Sequence, residues 1–353
     1  MTLIKVKSRG TDNVTGRRNL VKNGAMQIAQ RGTQTGQGSG NAYSAVDRFQ
    51  ITSAATNGRL TTSQSTDAPA GFSKSLQLVC TTADTSIAAG EFTRIRHRIE
   101  GQDLQHIEKG TSGAKQVTLS YHAKASTAGV IIVEFQDADN NRLSSVAHSI
   151  TTSYQKFTHT FPADTTGEII DSVNTGATIS WVLHAGSNYT SGTLGSAFTT
   201  GVDANKAVGQ TFSIFAATSR QFNLSGVQLE VGDSASDFEH RSLGEELSLC
   251  QRYFQVTQNF IGNGHSGAGA VGIITLTGEM RATPSFSQNG VFKVTDGYTA
   301  DYTQSSTGGI IYTNTNKTNG YMLYLQNISG LTAGKSYHSR CADANVLICD
   351  AEL

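Results

Sequence analysis

Apolar and polar side chains alternate with a period of two over long stretches of the chain. Val117, Leu119, Tyr121 and Ala123 oppose Thr118, Ser120, His122 and Lys124, as in a strand with one buried face. Phe157, His159 and Phe161 oppose Lys156, Thr158 and Thr160, and Ile179, Trp181 and Leu183 form a further inward row. Ile131, Val133 and Phe135 precede a turn, while Phe212 with Ile214, Phe222 with Leu224, and Val227 with Leu229 and Val231 complete the set. With no helical pattern between them, these segments predict an all-β, antiparallel jelly-roll β-sandwich over residues 19–241.

The pattern changes at VQLEVGDSASDFEHRSLGEELSLCQRYF, residues 227–254. Ser242 with Glu245 forms a capping box, and Leu243, Leu247, Cys250 and Phe254 share one face of a short helix. This predicts a linking helix over 242–254, packed either about a three-fold axis or onto its own two domains. Beyond it, strand-like runs at 271–276, 291–294, 309–312, 321–325 and 346–349 predict a smaller C-terminal β domain over 255–353.

Composition fits a β-rich chain of more than one domain: 353 residues with 37 Gly, 3 Pro and only 15% charged residues. Turns must then rest on Gly, Asn and Asp. Charge is balanced at 27 basic against 27 acidic residues, which argues against nucleic acid as a partner. It is unevenly spread, since Lys5, Lys7, Arg9, Arg17, Arg18 and Lys22 face Asp12 alone in the first segment. Residues 1–18 therefore read as a basic arm, either a solvated terminus or an attachment arm that docks on an acidic partner. Cys80, Cys250, Cys341 and Cys349 are too far apart for a zinc motif and read as free thiols. No long apolar run predicts membrane insertion, and no secretory signal is evident.

Catalytic chemistry finds little purchase. No GxSxG, Walker, HExxH or CxxC motif occurs, and the 9 histidines are scattered singly. Asp137, Asp139 and Asn141 resemble the start of a calcium loop, but Arg142 and His148 stand where Gly and Glu are required, so a hairpin turn is expected. Glu100, Asp103, Glu134 and Asp137 are candidate acids for sugar cleavage, with surface carboxylates as the simpler reading. Among aromatics that could stack on sugars, Trp181 and Tyr121 alternate as core residues. Tyr189, in HAGSNYTSG, is the expected glycan contact. The expectation is a protein without catalytic residues, cofactor or metal.

Several phrases carry a resemblance. NLVKNGAMQIAQRG (19–32), YSAVDRF (43–49), IEGQDL (99–104), the 227–254 segment, MRATPSF (280–286) and the final DAEL resemble, in that order, phrases of bacteriophage tail-fibre and virion-surface proteins, particularly from phages of marine bacteria. The resemblance implies a carbohydrate-binding-module-like jelly roll, a linking helix and a distal β domain in a homotrimeric virion component. The implied function is a short trimeric tail fibre or tail-associated appendage for host attachment, held to other virion proteins by the basic arm. A head decoration or fibre protein, and a glycan-binding module for host surface polysaccharide, are the alternatives.

Overall fold

The computed structural model describes residues 18–258, 260–297, 300–307, 310–312, 320–339 and 346–353. The first part comprises β1 (Gln34–Gln37), β2 (Gly40–Tyr43), β3 (Phe49–Ala54), β4 (Arg59–Ser65), β5 (Ser75–Thr82), β6 (Phe92–Glu100), β7 (Val117–Ala125), β8 (Gly129–Asp137) and β9 (Arg142–Ile150). It continues through β10 (Gln155–Phe161), β11 (Thr175–Ala185), the short helix α1 (Ser187–Thr190), β12 (Thr199–Thr200) and β13 (Gln221–Val231). Two antiparallel sheets result: a six-stranded one in the order β1-β4-β5-β13-β7-β10 and a seven-stranded one in the order β12-β9-β8-β11-β6-β3-β2. This is the jelly-roll sandwich that the alternation predicts.

Period-two patterning fills the space between the sheets. Leu76, Leu78, Leu119, Tyr121, Phe222 and Leu224 from one sheet meet Phe49, Ile95, Val133, Phe135, Ile179 and Trp181 from the other, all buried in one cluster. Trp181 and Tyr121 meet edge-on, their ring centroids 5.7 Å apart. The Asp137–Asn141 segment is a hairpin turn. Asp137 Oδ1 accepts from the amides of Asp139 (3.0 Å) and Asn140 (3.1 Å), and Lys109 Nζ lies 2.6 Å from its other oxygen.

Helix α2 spans Leu243–Gln251, with Ser242 Oγ accepting from the Glu245 amide at 3.4 Å. The expected apolar face is only partly realised. Leu243 is 59% exposed and Leu247 half-buried, whereas Cys250 is buried. Phe254 lies outside the helix, at the start of a strand. The chain leaves the helix early because Arg252 and Tyr253 turn away to bind Glu100. Glu246 takes the buried position instead, its carboxylate accepting from the Asn23 amide (2.5 Å) and from Arg241 Nη1 (3.3 Å).

The last part comprises β14 (Phe254–Thr257), β15 (Ile261–Ser266), β16 (Gly269–Thr275), β17 (Ser285–Asn289), β18 (Lys293–Thr295), β19 (Asp301–Thr303), β20 (Ile310–Tyr312), β21 (Gly320–Gln326), β22 (Ser336–Ser339) and β23 (Val346–Asp350). These pair as β14-β23-β17 and β19-β18-β22-β15-β16-β21-β20. Their own core gathers Phe260, Ile274, Val294, Leu323, Leu325, Tyr337 and Leu347.

Several of the segments 19–32, 43–49, 99–104 and 227–254 meet the C-terminal residues at the junction of the two cores. Glu100 is fully buried and accepts from Arg252 Nε (3.0 Å) and Nη2 (2.8 Å) and from the Tyr253 hydroxyl. Lys22 Nζ donates to Tyr253 Oη at 2.7 Å and pairs with Asp103. Arg48 pairs with Glu352 and lies over the Tyr253 ring, 3.4 Å from its centroid; Arg31 lies over Phe254 at 3.5 Å and pairs with Glu352 at 3.1 Å. Arg281 donates to the main-chain oxygens of Ala351 (2.7 Å), Glu352 (3.1 Å) and Val173 (3.0 Å). Buried cations stacked on aromatic rings and paired with carboxylates make a joint that tolerates little substitution.

Candidate functional site

Strand β6 reads FTRIRHRIE. Thr93, Ile95, His97 and Ile99 point into the sandwich and are buried, so Arg94, Arg96 and Arg98 stand half-buried on the outer face of the seven-stranded sheet. Residues two apart on a strand are ~7 Å apart, which makes the three guanidiniums a basic stripe.

A polar row crosses this stripe. Cα register runs from Tyr43 to Gln50, Arg96, Ser180, Glu134 and Ser145, through six adjacent strands. Arg96 Nη2 donates to Asn41 Oδ1 (3.1 Å) and Gln50 Oε1 (3.2 Å), and Arg94 Nη1 to Glu134 Oε2 (3.3 Å). Five buried polar atoms on this face find no partner: Arg94 Nε, Arg96 Nε, Glu134 Oε1, Ser145 Oγ and Ser180 Oγ. Native interiors rarely leave such groups unmatched, and a cluster of them marks a place where water or a ligand completes the pairing. Burial, reinforced by the flanking Arg94 and Arg98, pushes Arg96 down to about 9, so it still carries its charge at neutral pH. Burial pushes the Glu134 carboxyl up, with Arg94 opposing.

Three elements frame the face. The segment around α1 roofs its β8–β9 end, where Phe92, Ile132, Val182 and Ala207 form a small apolar cluster with Tyr189 and Leu194. On the other side Leu353 is held through its main-chain oxygen by Arg98 and by the Tyr43 hydroxyl (2.9 Å). Between them Asn41 is exposed and Thr52, Arg94 and Arg96 are partly so. The floor thus offers fork-shaped donors, amide oxygens and small hydroxyls in a strip that suits the hydroxyls and charged substituents of a sugar chain.

Tyr189 borders this strip. Its ring packs on Phe92 at 4.5 Å between centroids, and Phe92 in turn lies under Arg94. Of the expected attachment arm, Lys5, Lys7, Arg9 and Arg17 fall outside the described residues. Arg18 donates to Ser236 Oγ (2.9 Å) and the Asp237 oxygen (3.4 Å) of its own chain. The four carboxylates weighed for sugar cleavage are each held by a cation: Glu100 by Arg252, Asp103 by Lys22, Glu134 by Arg94 and Asp137 by Lys109.

Two further features lie elsewhere. His184 is fully buried, with Nδ1 at 2.8 Å from Ser213 Oγ and Nε2 at 2.8 Å from Glu91 Oε2. Ser213 Oγ also accepts from the Phe215 amide at 3.3 Å, so this chain of bonds pins the 213–215 turn to β11. A cleft of about 220 Å³ is lined by Leu104, Gln105, Glu108, Lys109, Thr111, Glu168 and Ile169. Its lysine is already engaged by Asp137 and Asp164.

The arginine stripe was not among the expected site residues. Its signal is present in the sequence as Arg at every second position of 94–98, interleaved with apolar or aromatic residues, which a search for sugar-stacking rings passes over.

No protein-family model matches the chain, and no curated protein matches it in sequence. Among solved structures it is similar to the enzymatically active domain of tailspike protein 4 from bacteriophage CBA120, at 12% identity and a TM-score of 0.30, over 61% of this chain and 21% of that one. The chain thus spans about a fifth of the tailspike domain's length. It is also similar to the family 11 carbohydrate-binding module of a Clostridium thermocellum cellulosomal cellulase, at 8% identity and a TM-score of 0.28, over 58% of this chain and 99% of that one. A third is TmCBM61 in complex with β-1,4-galactotriose, at 9% identity and a TM-score of 0.30, over 61% of this chain and 100% of that one. These superpositions are loose, and the jelly-roll assignment rests on this chain's own strand order.

Proposed function

We propose that this chain is a non-enzymatic glycan-binding appendage of a bacteriophage virion, and that it holds host surface polysaccharide on the outer face of the seven-stranded sheet. The observation that carries the binding site is the open strip of Asn41, Thr52, Arg94 and Arg96, backed by the buried polar row from Gln50 to Ser145. The virion assignment is supported by the ordered phrases from 19–32 to the final DAEL, and gives the basic arm its role in attachment. Weak sites repeated on an oligomer would add through effective concentration.

The site is tested by blocking it. Thr52 lies beside Arg94 on the open part of the face, and Thr52→Trp is expected to abolish retention on every immobilised polysaccharide that retains the wild type. Tyr189→Ala, at the rim, should weaken retention only several-fold. Wild-type retention of the Thr52→Trp protein would contradict the placement of the site.

Self-association is the second part of the reading, favoured by an apolar row on the C-terminal domain. Ile261, Ile273 and Met322 are in cross-strand register and exposed at 70%, 56% and 40%. Neighbouring exposed apolar side chains of this kind mark interaction surfaces, and we assign this one, ahead of the helix face, to the three-fold contact. Sedimentation should give a trimer that Ile273→Asp converts to a monomer; a wild-type monomer at micromolar concentration removes this part of the proposal.

A further inference from the structure

We propose that the glycan held on this face is anionic, a polysaccharide bearing carboxylate or sulfate groups, and that Arg96 reads its charge between Arg94 and Arg98. This rests on the reading of the face as a glycan site and adds the chemical class of the ligand.

Local charge accounting carries the inference. Arg94 has Glu134 as its partner, whereas Arg98 donates to the main-chain oxygen of Leu353 and has no ion-paired carboxylate among the described residues. Among the described residues Arg96 has no carboxylate partner. Its acceptors are the neutral amide oxygens of Asn41 and Gln50, and its Nε has none. A half-buried guanidinium flanked by two others and offered only neutral acceptors lacks a directly bonded counter-charge, with Glu134 acting on it only through space. A carboxylate or sulfate accepting from Arg96 supplies it through a charge-assisted bond, whereas a neutral hydroxyl would leave the deficit standing. Burial, with Arg94 and Arg98 beside it, disfavours the charged form of Arg96, a cost that a bound anion would offset. General affinity for polyanions is not the source, since the whole chain carries no net charge. A nucleic acid, which is held by many phosphate contacts at once, fits a short stripe of three partly engaged arginines less well than a sugar chain with spaced charges.

The test compares one polymer with and without its charge. Full-length protein is titrated with alginate, with alginate whose carboxylates have been reduced to alcohols, with dextran sulfate and with single-stranded DNA. Alginate or dextran sulfate should bind about tenfold or more tightly than the reduced polymer. Arg96→Gln should bring binding down to the level of the reduced polymer, Arg96→Lys should retain part of it, and Lys156→Gln on the opposite sheet should change nothing. Unaltered thermal melting of Arg96→Gln confirms that its loss is not unfolding. Equal binding of native and reduced alginate, or wild-type binding by Arg96→Gln, overturns the anionic ligand; if Thr52→Trp still abolishes that binding, the glycan face itself stands. No binding to any of the polysaccharides overturns both. Equal or tighter binding of DNA overturns the glycan as ligand.

Discussion

Replacing Glu100 by alanine is expected to cost about 4 kcal/mol of folding stability and to loosen the C-terminal domain from the sandwich. Glu100 ends β6, is fully buried, and accepts from Arg252 and Tyr253, while Lys22 reaches the same Tyr253 hydroxyl. Removing the carboxylate leaves a buried phenol without its acceptor and Arg252 without its counter-charge, while Lys22 keeps Asp103. That is the expensive way to break an ion pair, because the desolvation already spent on the partners is not recovered. Burial by itself raises the Glu100 carboxyl, yet the bonds from Arg252 and Tyr253, with Lys22 nearby, hold it below the usual glutamate range. A carboxylate with a lowered folded pKa stabilises above its unfolded value, and that contribution fades as pH falls through the folded one. The gap between wild type and Glu100→Ala should therefore be full at neutral pH and narrow in acid. Urea unfolding followed at several pH values measures it; a loss below about 1 kcal/mol at neutral pH would show that the junction is held by packing alone.

Gly24→Ala is expected to destabilise by roughly 3 kcal/mol. A Cβ at Gly24 would stand 2.0 Å from the Val227 main-chain oxygen, and that oxygen belongs to backbone that cannot step aside. Val227 donates its amide to the Gly24 oxygen at 2.9 Å. β13 bends toward it at a bulge where Gly226 has φ +61°. The preceding Asn23 takes φ +60° and is pinned by its side chain to Ile28 and Asp47. Thermal melting of Gly24→Ala beside Gly244→Ala checks this, since a Cβ at Gly244 meets nothing within 4 Å and should be tolerated.

Alternation marks β7, β10, β11 and β13, whereas β5 and β6, which also alternate, lie outside the strands expected from the sequence. The hairpin at Asp137 and the core placement of Trp181 followed from the same logic. Strands β1, β2 and β22 were not legible, because edge and short strands bury too little to impose alternation. The helix end was misplaced for a different reason. Leu243 to Phe254 has helical spacing, but the chain gains more by turning Arg252 and Tyr253 onto Glu100 than by extending the helix. The site was hidden because register, which brings Gln50, Arg96, Ser180 and Glu134 into one row from four distant segments, is not written in any one of them. The phrases behind the expected resemblance are mostly a different matter: Lys22, Asn23, Arg48, Glu100, Arg252, Tyr253 and Glu352 build the junction. They report architecture more directly than ligand.

The face itself is open to direct observation. Amide signals of isotope-labelled protein, followed by nuclear magnetic resonance during titration with alginate oligosaccharides, locate the contact without any substitution. Shifts concentrated in Gly40–Tyr43, Phe49–Ala54 and Phe92–Arg98 are the expected result. Shifts concentrated in the C-terminal domain or at the 104–111 turn, with β3 and β6 silent, would contradict it.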